Sequence, residues 1–215
     1  KALSKTGQLK KLKEDNPNLI VGLWGCMVSQ SGRISEIKKS YPYVDIVFGT
    51  QQYHHLPEFI YRRLTGKRVY ELNLDNSDIV ENIPISRDGT LKGWLPIMYG
   101  CNNFCTYCVV PYVRGRERSR SVENILAEVK NASENGYKEV MLLGQNVNSY
   151  GKDLESGIDF AELLSLVCKV DGIERVRFMT SHPKDISERL IEVMATEPKI
   201  CKQLHLPVQC GSDKI

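Results

Sequence analysis

Three of the seven cysteines fall within eight residues, in the run Cys101-Asn102-Asn103-Phe104-Cys105-Thr106-Tyr107-Cys108. Thiolates spaced by three residues and then two can wrap one loop around a single metal centre. They are soft ligands, suited to an iron–sulfur cluster or to zinc. No fourth cysteine lies nearby in sequence. A structural metal site is normally closed by four protein ligands, whereas a catalytic one keeps a position open for substrate or cofactor. The alternatives are a zinc site completed by a distant His or Cys, and thiols with no metal at all.

The elements around this loop should place it at an active end. It follows the run LPIMY (95–99), which reads as a strand, and the carboxyl ends of strands are where β/α folds put their ligands. Strand-like runs start near Leu95, Glu139, Arg175 and Gln203. Helical patterns lie between them at about 121–135, 158–170 and 185–195. Ser121 with Asn124 has the form of a helix start. The first third of the chain alternates in the same way. A basic surface helix over 1–14 ends at Asn16-Pro17, a buried strand runs from Leu19 to Trp24, and a short helix covers 30–40. Val44–Phe48 is a second strand, and His55–Leu64 a helix with Pro57 near its start. Polar residues 71–92 read as a connector. The expectation is an α/β chain: a partial βα sheet domain over 1–70, the connector over 71–92, and a partial (βα) barrel over 93–215 with about four strands.

Composition narrows the class. Hydrophobic residues make up 41% and charged residues 26%, and the net charge is +3. That is ordinary for a globular protein, and the mild basicity permits an RNA partner without demanding one. No apolar run reaches the roughly 18 residues of a membrane span. The first residues, KALSKTGQLKKLKEDNP, lack the apolar core of a signal peptide. We therefore expect a cytoplasmic protein with no membrane partner. In a reducing compartment, clustered cysteines point to metal or catalysis rather than to disulfides. Lys1 in place of Met, and an end at Lys214-Ile215 without a helix stop, read as a fragment of a longer protein.

The cysteine run resembles the C-x3-C-x2-C signature of radical S-adenosylmethionine enzymes, with an aromatic residue, Tyr107, before the last cysteine. Five further segments extend the likeness over nearly the whole chain: GCMVSQ (25–30), VVPYVRGRERSR (109–120), MLLGQNVNSYG (141–151), TSHPKD (180–185) and LHLPVQCGSD (204–213). Together they resemble the bacterial methylthiotransferase family, and its tRNA branch most. The resemblance implies that Cys101, Cys105 and Cys108 hold a 4Fe-4S cluster. Its open iron would chelate S-adenosylmethionine, which one electron cleaves to a 5′-deoxyadenosyl radical. It implies a reaction too: a methylthio group is added to C2 of N6-isopentenyladenosine 37, beside the anticodon in tRNA. The partners implied are a tRNA anticodon stem-loop and an electron donor such as flavodoxin or ferredoxin, with the protein a monomer. The family holds a second 4Fe-4S cluster on three N-terminal cysteines. Cys26 matches the last, and the other two would lie upstream of residue 1, so the fragment alone is expected not to assemble that cluster. Read from the residues alone, Cys26 is a strand-end thiol.

The resemblance also assigns cofactor contacts. Tyr107 would pack near the adenine, and Gly144 and Gln145 would approach the methionine amino group. Gln145 stands where the superfamily often has an acidic residue, leaving hydrogen bonding without charge. Asn146 and Asn148 lie beside it. Ser181 and His182 follow the third strand, and His182 before Pro183 fits either an active-site group or a helix start. Gln209 falls at the end of the fourth strand; beside it Cys210 replaces the family's usual Ser. Arg114 and Arg116 are candidate nucleic-acid contacts within the crowd Arg114, Arg116, Arg118 and Arg120, since a planar guanidinium suits phosphate. His205 reads as a core histidine, Cys168 and Cys201 as core packing, and His54 and His55 as surface residues on a helix. Two alternatives to the tRNA reading remain. One is the threonylcarbamoyladenosine or ribosomal-protein branch of the family; the other is a zinc-stabilised RNA-binding module.

Overall fold

The computed structural model describes residues 2–72, 79–81, 85–87, 89 and 91–212. Much of the connector expected at 71–92 lies outside them. The chain divides into two compact units, residues 1–80 with 103–115, and residues 81–102 with 116–215.

The first unit contains helix α1 (Ala2–Asp15), strand β1 (Gly22–Trp24), helix α2 (Arg33–Ser40), strand β2 (Ile46–Phe48), helix α3 (Leu56–Leu64), strand β3 (Val69–Glu71) and the short helix α4 (Val110–Arg114). The strands form one parallel sheet in the order β1-β2-β3, with Gly22 opposite Ile46 and Ile46 opposite Val69. Every residue of the central strand is buried, which is why IVF reads as an unbroken apolar run. Successive side chains leave a strand on opposite faces. Val47 accordingly packs with Ile37 of α2, while Ile46 and Phe48 pack with Phe59 of α3. The strand expected at Leu19–Trp24 is shorter and less buried than its sequence promised. It is at the end of the described sheet, and Trp24 is 60% exposed, with its ring stacked on Phe48. Pro57 does start α3, behind a turn of 3-10 helix over Tyr53–His55.

One buried carboxylate braces this unit. Asp45 accepts from Lys13 Nζ at 2.9 Å, Arg63 Nε at 2.6 Å and the Val21 amide at 2.9 Å. Burial pushes its pKa up, but the Val21 amide, Lys13 and Arg63 outweigh that and hold it below the usual carboxylate range.

The second unit contains β4 (Lys92–Pro96), β5 (Met98–Tyr99), β6 (Arg118–Ser119), α5 (Val122–Glu134), β7 (Glu139–Leu143), α6 (Phe160–Cys168), β8 (Arg175–Met179) and α7 (Glu188–Thr196). Strands β4, β7 and β8 form a parallel sheet in chain order, as successive βα units do. Each helix starts at an oxygen that accepts a backbone N–H: Ser121 from Asn124, Asp159 from Glu162, and Ser187 from Leu190. The helices cover the sheet with Ile125, Val129, Leu163, Leu164 and Val167 against Leu95, Val140, Leu142 and Val176. Each such side chain contributes about 1.5–3 kcal/mol by burial. Cys168 is buried in this core, where burial pushes its thiol up to about 11.

Two features of this unit differ from the sequence reading. LPIMY is not one strand, because β4 ends at Pro96 and Met98–Tyr99 pair antiparallel with Arg118–Ser119. The fourth strand near Gln203 is reduced to a single parallel bridge between Val176 and Ile200. His205 is consequently exposed rather than a core histidine. Its carbonyl accepts the Ser181 amide at 3.2 Å.

Candidate active site

The carboxyl ends of β7 and β8 meet in one polar network. After β7 the chain runs through Gly144, Gln145 and Asn146 into a 3-10 turn at Val147–Ser149; after β8 it passes Thr180, Ser181 and His182. The Val147 amide donates to the Thr180 carbonyl at 2.9 Å, and the His182 amide to Asn146 Oδ1 at 3.0 Å. Asn146 Nδ2 donates to Asp185 Oδ2 at 2.6 Å, and Lys152 also pairs with Asp185. Burial raises the Asp185 carboxyl, but Lys152 and Asn146 more than offset it and leave it lowered. Asn146 is thus a brace between two strand ends. His182 Nδ1 accepts the Lys184 amide at the start of a 3-10 turn, as its place before Pro183 allowed.

Several buried polar atoms at these strand ends have no hydrogen-bond partner among the described residues: Gln145 Oε1, both amide atoms of Asn148, and Ser181 Oγ. Each such group costs about 1–3 kcal/mol if left unmade. Buried polar atoms grouped at the ligand end of a sheet fit a polar cofactor that supplies the missing partners. Gly144 has a packing reason of its own. A Cβ there would lie 2.6 Å from Met98 Cγ and 3.1 Å from Val147 Cγ1.

The cysteine run leaves β5 through Gly100, whose φ of 75° is a glycine conformation. Cys101 is buried, at 8% exposure. Next to it, Asn102 and Glu117 exchange two bonds of 3.2 Å, the backbone amide of each donating to the side chain of the other. In the first unit, the Cys108 amide donates to the Cys105 carbonyl at 2.8 Å, which turns the chain between these two thiols. Tyr107, between them, is 67% exposed. Desolvation, then the charges of Cys105 and Cys108, raise its phenol pKa. No disulfide joins any of the seven cysteines. Among the described residues no three Cys, His, Asp or Glu side chains converge as one metal-ligand set. The fit with a cluster therefore rests on the chemistry of the donors, three soft thiols in one loop.

Cys26 follows β1, and its sulfur accepts from Arg114 Nε at 3.2 Å. The arginine crowd divides by environment. Arg116 is exposed. Arg120 is buried, donating to Glu81 at 2.8 Å and to Glu128 and the Pro96 carbonyl at 2.7 Å each. Burial works against its charge, yet the two carboxylates outweigh that and raise its pKa. Sequence reasoning named neither Glu81 nor Glu128. Gln209 is exposed with φ of 61°, and Cys210 is exposed too. Tyr53, His54 and His55 form the 3-10 turn before α3, and the His54 Nδ1 is buried.

Comparison with known proteins gives the family. The family model of the radical SAM superfamily matches residues 95–215, more than half of the chain. Over 216 aligned residues and 100% of its length, the chain is 52% identical to the tRNA-2-methylthio-N(6)-dimethylallyladenosine synthase of Thermoanaerobacter sp. (strain X514), covering 46% of that protein. It is 54% identical to the protein of the same name from Clostridium perfringens (strain SM101 / Type A), covering 48% of it. The chain spans about half the length of the curated relatives it matches. Among solved structures it is similar in fold to the radical S-adenosylmethionine methyltransferase TsrM from Kitasatospora setae, with cobalamin and a 4Fe-4S cluster bound. The TM-score is 0.62 at 15% identity, over 91% of this chain and 44% of that one. On the superfamily match, this chain belongs to the radical SAM superfamily.

Proposed function

We propose that this chain is part of a tRNA methylthiotransferase, which adds a methylthio group to C2 of N6-isopentenyladenosine 37 beside the anticodon. The observation that carries this reading is identity of 52% and 54% along the entire chain with synthases of that name. It favours this branch over the threonylcarbamoyladenosine and ribosomal-protein branches and over a zinc module.

In this reading Cys101, Cys105 and Cys108 hold a 4Fe-4S cluster with one iron open to S-adenosylmethionine. When bound, cluster and cofactor supply the one-electron chemistry that an unactivated aromatic C–H bond requires. The protein's own residues bind and orient. Gln145 Oε1 and Ser181 Oγ meet the polar groups of the cofactor, and with Asn148 they gain the partners they lack. Gly144 keeps the end of β7 close to Met98, so that Gln145 enters the site from a fixed backbone. Tyr107 would contact the adenine, and Gln209 would be a further cofactor contact. Exposed Arg116 meets a phosphate of the anticodon stem-loop. Cys26 is one ligand of the second cluster. A flavodoxin or ferredoxin supplies electrons, and the protein works as a cytoplasmic monomer. Among the described residues, no helix is long and apolar enough to cross a membrane.

Anaerobic reconstitution with iron and sulfide tests the cluster. About four irons per chain are expected, with an electron paramagnetic resonance spectrum that S-adenosylmethionine perturbs and that Cys105→Ala abolishes. Bound zinc with no cluster would overturn the radical reading. The substrate is tested by mass spectrometry of tRNA nucleosides from cells lacking the full-length gene. Persistence of the 2-methylthio modification of isopentenyladenosine there would overturn the tRNA assignment.

A further inference from the structure

The contact between Arg114 and Cys26 belongs to a larger attachment. Helix α4 begins two residues after Cys108 and ends at Arg114. Its last turn is held at three points by the loops that leave β1 and β2, all inside the first unit. Thr50 Oγ1 donates to the Val113 carbonyl at 3.4 Å, Gln51 Nε2 to the Arg114 carbonyl at 2.9 Å, and Arg114 Nε to Cys26 Sγ at 3.2 Å. Gly115 makes room for this contact, since a Cβ there would lie 3.3 Å from Gln51 Nε2. The carboxyl ends of parallel strands are the usual ligand end of such a sheet. The Arg114 guanidinium therefore sits at that end, on the sulfur of the cysteine that closes β1.

From this geometry we infer that Arg114 is a positioning residue for the second cluster. Its Nε–H is a hydrogen bond to the Cys26 ligand sulfur, which fixes that ligand and tunes the cluster's reduction potential. The inference rests on the proposed reading of Cys26 as a cluster ligand. Reduction adds negative charge to a cluster and its sulfurs. A cationic N–H donor on a ligand sulfur stabilises the reduced form more than the oxidised one, so it raises the potential. The same helix starts two residues after Cys108 in the chain.

The test uses full-length protein in a Cys105→Ala background, so that only the second cluster contributes signal, with potentials from redox titration followed by electron paramagnetic resonance. Arg114→Ala is expected to move the midpoint to more negative potential at unchanged iron content. Arg114→Lys, which keeps the charge but not the placement of Nε–H, should fall between the two. Gln51→Ala, which loosens α4 while keeping the guanidinium, should leave the midpoint unmoved. An unmoved midpoint in Arg114→Ala overturns the inference, as does an equal shift in Gln51→Ala, which would trace the effect to helix placement alone. Adding Cys26→Ala separates the two ideas. Loss of the remaining iron supports the ligand reading, whereas retention of iron and signal overturns that reading and the inference with it.

Discussion

Arg120→Met should destabilise the second unit and leave RNA binding electrostatics alone. Arginine in a basic run after the cysteine loop invites a phosphate role, but the environment of Arg120 argues otherwise. Its side chain is 8% exposed, and those of Glu128 and Glu81 are 9% and 15%. Breaking a buried pair from one side typically costs about 3–5 kcal/mol, because the remaining charge stays buried without its partner. Here the loss is cushioned. Glu128 keeps Arg87 at 2.6 Å, and Glu81 keeps Asn124 Nδ2. The expectation is therefore the low end, roughly 3 kcal/mol, or about 6–12 °C in Tm for a chain of this size. Trp94 lies in β4 and Trp24 in β1. In a Trp24→Phe background, Trp94 fluorescence during urea unfolding then reports the second unit. A parallel measurement follows tRNA affinity of full-length protein against salt. Loss of one phosphate contact lowers the slope of log K on log salt by about 0.7–0.9. Arg116→Ala should show that drop and Arg120→Met should not. A variant with wild-type stability and a reduced slope would refute the reasoning.

Three further outcomes follow from single contacts. Asp45 has a depressed pKa in the folded unit, so its contribution is present above about pH 4 and is lost as pH falls through the folded value. Asp45→Asn should cost about 3 kcal/mol at pH 7, and the gap from wild type should narrow by pH 3 in urea melts read by Trp24; an equal gap at both pH values would sink the assignment. Gly151→Ala should lose roughly 3 kcal/mol or more, since its Cβ would fall 1.8 Å from the Ile158 carbonyl oxygen at φ of 87°; a fully folded variant of wild-type Tm would contradict the backbone path. Ser181→Ala should leave the cofactor-free chain within about 0.5 kcal/mol of wild type. It should also weaken S-adenosylmethionine binding to reconstituted protein by about five- to tenfold in a titration; unchanged affinity would remove Ser181 from the site.

What the sequence disclosed is what local chemistry decides. The cap at Ser121, the apolar run of β7 and the Pro57 start of α3 are short-range signals, and the structure places those elements within a few residues of expectation. The run around Gln203 carried a strand pattern too, yet only Ile200 enters the sheet. Pro207 has no N–H to give a ladder, and Leu204 and Val208 remain exposed. Strands β3, β5 and β6 are two or three residues long, too short for a period to show, and their pairing is decided by distant chain. The same holds for the partners of the site. Glu81 lies 39 residues from Arg120, and Arg114 lies 88 residues from Cys26. Spacing alone marks the cysteines as a loop but gives no sign of which arginine turns inward.

The two ends of the second sheet are built to opposite specifications, and that contrast bears on function. At the amino ends, where each strand begins, Glu139 pairs with Lys92 at 2.9 Å, Arg175 at 2.9 Å and Arg177 at 3.1 Å. Burial would raise its carboxyl, and these cations hold it lowered. One carboxylate thus fixes the alignment of three strands with its charge fully answered. At the carboxyl ends, Asn146 and Asp185 brace the loops, while Gln145 Oε1, Ser181 Oγ and the Asn148 amide stay buried without partners among the described residues. A fold selected for stability alone would place apolar atoms there, since removing an unpartnered polar group of like shape is neutral or stabilising. The unpartnered atoms grouped at the carboxyl end are what supports the proposed cofactor site there. The Glu139 cluster at the amino end keeps the strand ends in place, which the proposed site requires of its scaffold.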